Sequence, residues 1–383
     1  MSGPLTGLKV IEVAGIGPGP FTAMMLADMG ADVIRVDRAN QVAGYDPATP
    51  PGDSLNRGRR SLGLDLKSPE GIAVLLDLVE NADVLIEGFR PGVAERLGFG
   101  PHECLARNPK LVFGRMTGWG QTGPYAQAAG HDINYIALGG VLDSLRRDGA
   151  QPTPPINLVG DFGGGGMLLA FGVVCAVLSA QHTGVGQVVD AAMIDGSATL
   201  MSMIWAFKGM GIWDSTTPGK NLLDTGTHFY DTYECADGGW ISIGAIEPQF
   251  YKLLLELTGL ADDELPHQMD KSAWPAMKEK FAAVFSTKTR DEWCEILEHT
   301  DTCFAPVLSM DEAPLHPHNV ERETFITLNG IVQPAPAPRF SETPGAVSRP
   351  PAHAGQHSDE ILAEWLGMDS DAISAAKSSG AVA

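Results

Sequence analysis

Short apolar runs alternate with helical stretches through the first third of the chain. LKVIEV, DVIRV, DVLIE and LVFGR read as strands, and FTAMMLADMG and SPEGIAVLLDLVENA between them read as helices. Strand, helix, strand in repetition predicts a parallel sheet with helices on its faces. Ser68 before Pro69 marks one helix start, because a hydroxyl caps free first-turn amides and proline suits the first helical position. QVVDAAM, residues 187–193, resumes the alternation, and an apolar helix follows it.

The pattern changes at residues 209–227, GMGIWDSTTPGKNLLDTGT, where glycine, threonine and charge predict a crossing segment. Beyond it GGWISIGAI predicts a strand, with helical segments near residues 248–258, 273–285 and 289–299. Six prolines from Pro334 to Pro351 predict an extended stretch before a final helix near Ser358. The expected organisation is an α/β large domain over 1–208 completed by residues 330–383, a linker over 209–227, a small α+β domain over 228–310 and a return linker over 311–329.

Composition narrows the function. With 383 residues, 44% hydrophobic and 19% charged, the chain reads as a soluble folded protein large enough for two domains. A formal net charge of -21 opposes nucleic acid or an anionic membrane as the main partner, so an anionic ligand must meet local positive charge. Cys104, Cys175, Cys235, Cys294 and Cys303 show no CxxC pair and no metal-ligand spacing, so no disulfide and no metal are expected. The start MSGPLTGLKV resembles no secretory signal and the end SSGAVA no peroxisomal tripeptide, which makes the cytoplasm the expected address. Gly163–Ala180 carries no charge, but its four opening glycines shorten the usable helix to about 14 residues, so a buried helix is expected rather than a membrane span.

Several motifs carry chemistry. GIGPGP, residues 15–20, with Asp37 at the end of the next strand, imitates a dinucleotide fingerprint. Pro18 and Pro20 remove amides that a pyrophosphate needs, which favours a tight strand-to-helix turn. Arg35, Arg38, Arg57, Arg59, Arg60 and Lys67 fall within 33 positions and form a candidate anion seat, a solvated basic face being the alternative. DFGGGG, residues 161–166, allows close backbone approach at a helix start and offers amides to a developing oxyanion, a plain glycine turn being the alternative. His131 next to Asp132, and Glu247 before Pro248, are weak signals singly: a satisfied core pair and a helix cap explain them as well.

GHDINY, DFGGG, GQVVDA and GAIEPQFY, in this order and spacing, resemble the racemase branch of the family III CoA-transferase (CaiB/BaiF) superfamily. The match also takes in GPGPFTAMMLADMGADVIRVDR and WPAMKEKFAAVF, and spans essentially the whole chain. The resemblance implies a Rossmann-like large domain, a smaller domain and an interlocked homodimer with its site between subunits. It implies that His131 and Asp161 exchange the α-proton of a 2-methylacyl-CoA thioester on opposite faces through an enolate, that Glu247 of the other subunit orients His131, and that Asp132 supports the pair. Arg38, Leu64, Asp65, Leu66, Lys67 and Arg90 fall at positions that hold coenzyme A, with Gly130, Ile133, Asn134 and Tyr135 along the thioester. No cofactor is implied beyond the coenzyme A of the substrate. The glycine run is the candidate donor to the enolate oxygen. Two rivals remain: a CoA-transferase with Asp161 as nucleophile, for which a histidine is superfluous, and a binding protein without catalysis. One departure concerns acyl specificity: the usual Asp-Gly-Gly-Ala-Pro stretch appears as Asp224-Thr225-Gly226-Thr227-His228.

Overall fold

The computed structural model describes residues 3–46 and 48–383. Strands β1 (Lys9–Val13), β2 (Asp32–Arg38), β3 (Arg59–Leu64), β4 (Val84–Glu87), β5 (Val112–Thr117) and β6 (Gln187–Ala192) form one sheet in the order β3-β2-β1-β4-β5-β6. Every pairing in it is parallel. This is the doubly wound order, in which the chain reverses direction between β1 and β4 and opens a crevice at their carboxyl ends. Valine, leucine and isoleucine on both faces explain why the strands read as apolar runs: Val10, Ile11, Val33, Ile34, Val84 and Leu85 are all buried. Ser68 Oγ accepts a hydrogen bond from Gly71 N at 3.0 Å and caps the helix Pro69–Glu80.

The strand β3 was hidden in the sequence by its arginines, which are not a solvated face and not an anion seat. Arg59 lies against Glu12, Arg57 against Asp28 at 2.6 Å, Arg35 against Asp37 at 2.7 Å, and Arg60 against Asp32 at 2.7 Å with Glu360 and Glu364. All four guanidinium groups are buried. A buried cation must be paired, so these residues hold the sheet to its surroundings and are spent for ligand binding. Only Arg38 and Lys67 of the six remain exposed.

The chain divides into two units. The first comprises the chain up to Gly139, Pro155–Met201 and Thr324–Ala383; the second comprises Gly140–Pro154 and Ser202–Glu323. Residues 140–154 and 202–208 therefore leave the large domain expected from the sequence; of the segments expected as linkers, 209–227 and 311–323 belong to the second unit and 324–329 to the first. Ion pairs between remote positions tie these segments together: Arg147 pairs with Asp231 at 2.8 Å and Lys220 with Asp148 at 3.2 Å. In the first unit, Ile361, Leu362 and Trp365 of the helix Ser358–Leu366 share a core with Leu62, Leu75 and Phe99. Val382 bridges Leu64 and covers the edge of β3, which would otherwise present unpaired backbone.

Helix begins earlier than the glycines suggested. A π-helix over Leu158–Met167 runs directly into an α-helix over Leu168–Thr183. The glycines do not shorten it, because their missing side chains admit neighbours: a Cβ on Gly164 would lie 2.6 Å from Ser197 N and one on Gly166 2.6 Å from Phe21. The 26 residues are long and apolar enough to cross a membrane by length and composition. The helix is not simply buried either. Leu169, Val173 and Ala176 pack inward, whereas Phe171, Val174 and Leu178 are exposed.

The second unit holds an antiparallel sheet of β7 (Tyr230–Glu234), β8 (Trp240–Gly244) and β9 (Phe304–Val307). Helices Pro248–Thr258, Trp274–Phe285 and Arg290–Leu297 complete an aromatic core of Phe229, Tyr233, Tyr251, Phe281 and Trp293. Thr227 and His228 lie inside this unit at 0% and 1% exposure. His228 Nε2 meets Tyr251 Oη at 2.9 Å, and burial pushes its imidazole down to about 4. Their first role is therefore packing.

Candidate active site

A cavity of about 900 Å³ opens at the switch point, lined wholly by the first unit. That volume suits a cofactor-sized or drug-sized ligand. The turn GIGPGP after β1 forms one wall, Glu87–Pro91 after β4 another, and Gly130, His131, Asn134 and Tyr135 a third, with Asp161 and Arg38 also lining it. Of the residues singled out in the sequence, the cavity thus gathers Arg38, Arg90, Gly130, His131, Asn134, Tyr135 and Asp161.

Others lie elsewhere. Leu64 is buried in the sheet core, and the neighbouring Lys67 is exposed. Asp65 Oδ1 accepts from Lys67 N at 3.0 Å, Leu66 is half-buried, and Ile133 points a 44% exposed side chain away from the core. None of these five lines the cavity. Glu247 belongs to the second unit, where it precedes the helix Pro248–Thr258 with an exposed side chain.

Local geometry explains how His131 and Asp161 are held. His131 is the N-cap of the helix Asp132–Leu138, its backbone N–H donating to Asn134 Oδ1 at 3.0 Å. The adjacent Asp132 is buried, and its Oδ1 accepts from Asp161 N at 2.7 Å. Its support goes to the turn bearing Asp161. Burial raises the Asp132 carboxyl above its ordinary range, against the lowering effect of the Asp161 and Gly160 amides. Asp161 itself receives a hydrogen bond from Asn157 Nδ2 at 3.0 Å. Asn157 went unnoticed in the sequence although it stands four residues before Asp161, on the same side of a helical turn.

The GIGPGP turn has a reason beyond its tightness. Gly17 has φ 70°, and a Cβ there would sit 3.6 Å from Asp161 Oδ2, so the turn lies directly against the carboxyl group. The glycines of DFGGGG, by contrast, lie within the π-helix and do not line the cavity, which removes them as oxyanion donors. Tyr135 donates its hydroxyl to Gly130 O and stacks edge-on against Trp119, fixing the wall beside His131. Glu87, also missed, is buried and pushed up to about 7 by desolvation. Among the described residues no group of three or more His, Cys, Asp or Glu could hold a metal ion.

A doubly wound sheet whose switch-point cavity holds a histidine, two carboxyl groups and two arginines defines an α/β protein suited to proton or acyl chemistry on an anionic ligand. The chain belongs to CoA-transferase family III, whose model matches residues 5–358. It is 48% identical over 364 residues to the α-methylacyl-CoA racemase of Mus musculus, covering 94% of this chain and 93% of that protein. The α-methylacyl-CoA racemase of Homo sapiens matches at the same identity and coverage. A crystal structure of a CaiB/BaiF family protein from Brucella suis shares the fold at TM-score 0.81 and 24% identity, covering 95% of this chain and 100% of that one.

Proposed function

We propose that the protein is a racemase that interconverts (2R)- and (2S)-2-methylacyl-CoA thioesters by transferring the α-proton between His131 and Asp161. The observation that carries the reading is that both groups line one cavity at the switch point, alongside Arg38 and Arg90. A thioester α-proton is weakly acidic, and inversion requires removal on one face and delivery on the other through a planar enolate. A neutral imidazole with a carboxylic acid serves one enantiomer, and imidazolium with carboxylate serves the other. Arg38 and Arg90 supply the positive charge that the phosphates of coenzyme A need on a chain of net charge -21.

The reading extends to the assembly and its setting. The protein acts in the cytoplasm without a cofactor, and neither nucleic acid nor membrane is a partner. Two copies form an interlocked homodimer in which Glu247 of one orients His131 of the other. The exposed apolar side chains of Phe171, Val174 and Leu178 on one helix support such a partner, since a face of this kind is ordinarily covered.

The test is incubation with one enantiomer of a 2-methylacyl-CoA in D2O without an acceptor acid, followed by NMR of the α-proton. Exchange with loss of enantiomeric purity is expected. Absence of exchange, with CoA transfer once an acceptor acid is added, would show Asp161 acting as a nucleophile and overturn the proposal.

A further inference from the structure

Glu87 has no part in the proton transfer, yet it is placed where a ligand must pass close to it. It ends β4 at the switch point, lines the cavity and is 3% exposed. Its Oε2 accepts from Phe89 N at 2.7 Å, which pins the carboxyl at the root of the loop carrying Arg90. Its ion-pair partner, Arg115 on β5, is held at a distance. Arg115 Nε stands 3.7 Å from Glu87 Oε1 without a hydrogen bond, while the rest of the guanidinium binds Glu95 and Gln121.

We infer that Glu87 is a further binding group of this cavity, which meets the acyl-CoA thioester as the neutral carboxylic acid, so that binding takes up a proton. The inference rests on the acyl-CoA reading of the site. The groups around Glu87 come from several elements: Arg115 from β5, Asp190 from β6, Glu95 from the helix Val93–Leu97, and Arg38, Arg90, His131 and Asp161 around the same cavity. Burial raises the group most. The Phe89 amide and Arg115 lower it, Glu95 and Asp190 raise it, and the balance stands at about 7. A bound thioester displaces water from the cavity and adds phosphate charge, and both effects favour the protonated form further. As a neutral acid Glu87 also gains a donor, which a carboxylate lacks, for a carbonyl of the ligand. Affinity is then highest below pH 7 and falls as pH rises through the free-enzyme value, by up to about tenfold per pH unit for one linked proton.

The probe is 2-methylpropanoyl-CoA, whose α-carbon is not stereogenic, so binding is measured whether or not the proton is exchanged. Calorimetric titrations between pH 6 and 8.5, in two buffers of different ionisation heat, report both Kd and the protons taken up. For the wild-type protein, proton uptake and a Kd that climbs toward tenfold per unit above pH 7 are expected. Glu87→Gln keeps the acceptor for Phe89 N and is expected to lose both the uptake and the climb. A wild-type Kd that stays flat across this range, or an unchanged slope in Glu87→Gln, overturns the inference while leaving the racemase reading intact. Failure of the wild-type protein to bind the probe overturns the acyl-CoA reading, and the role of Glu87 with it.

Discussion

Asp132→Ala separates two accounts of the carboxylate beside His131. The structure gives its Oδ1 to the amide of Asp161 at 2.7 Å, with the Gly160 amide also reaching the carboxyl group. Hydrogen bonds to a charged group contribute about 1.5–3 kcal/mol each, and part of that is offset here by the cost of burying the carboxylate. A net loss of about 2 kcal/mol in stability is expected. The kinetic effect is larger, because the released turn carries Asp161, and a displacement of about 1 Å in a reacting group costs on the order of 100-fold. Asp132→Asn retains an acceptor oxygen and is expected to lose less than about tenfold. The assay follows each enantiomer in D2O and records two rates, loss of the α-proton and inversion. Inversion needs both faces and should fall for both enantiomers. Proton exchange at the face served by His131 should persist, since abstraction and return there do not require Asp161. If both rates fall in the same proportion, Asp132 serves His131 instead, and the positioning of Asp161 is not its role.

Arg59→Met should lower stability by about 3–5 kcal/mol in thermal unfolding, because Glu12 is left as a buried unpaired charge, while KM for the thioester stays within twofold in protein that remains folded. Arg38→Ala should do the reverse, raising KM at least about tenfold with an unchanged unfolding curve; equal KM effects in the two variants would restore the basic cluster as an anion seat. Gly164→Ala places a Cβ 2.6 Å from Ser197 N and should cost about 1–3 kcal/mol by the same unfolding assay, whereas no loss would mean that the helix contact is loose. His228 is held at about 4 by burial, below the value near 6.5 of an unfolded chain, so the unfolded state binds more protons between these values and stability falls as pH drops through this window. His228→Gln should remove that part of the acid sensitivity, by roughly 3 kcal/mol or less; an unchanged pH dependence would show that the imidazole is hydrated.

Most of the sheet was legible because parallel strands covered on both faces are rich in apolar residues, and β1, β2, β4 and β5 each carry a buried apolar stretch while β6 at the edge keeps its paired valines. The strand β3 was not, because RRSLGL begins with two arginines whose carboxylate partners lie up to 304 positions away. No local pattern announces a buried ion pair. The unit boundary failed for a similar reason: Arg147 and Asp231 are 84 residues apart, and their pairing takes residues 140–154 out of the large domain. The helix over 158–183 was misjudged in its start and its burial, since glycine lowers helix propensity yet here serves close approach to Gly196 and Ser197.

The candidate site shows how these failures and successes connect. His131 and Asp161 could be marked from motifs, but not the device that sets their separation. Asp132 follows His131 in the chain and holds the amide of Asp161 in space, so one buried carboxylate joins the helix cap bearing the imidazole to the π-helix bearing the acid. A π-helical turn is wider than an α-helical one and is commonly retained at functional sites. In this chain it presents Asp161 to Asn157 on one side and to the Gly17 turn on the other, while Gly164 and Gly166 keep its far end against Ser197 and Phe21. The glycines therefore bear on the proposed proton transfer only by fixing the helix that carries Asp161, since they do not line the cavity.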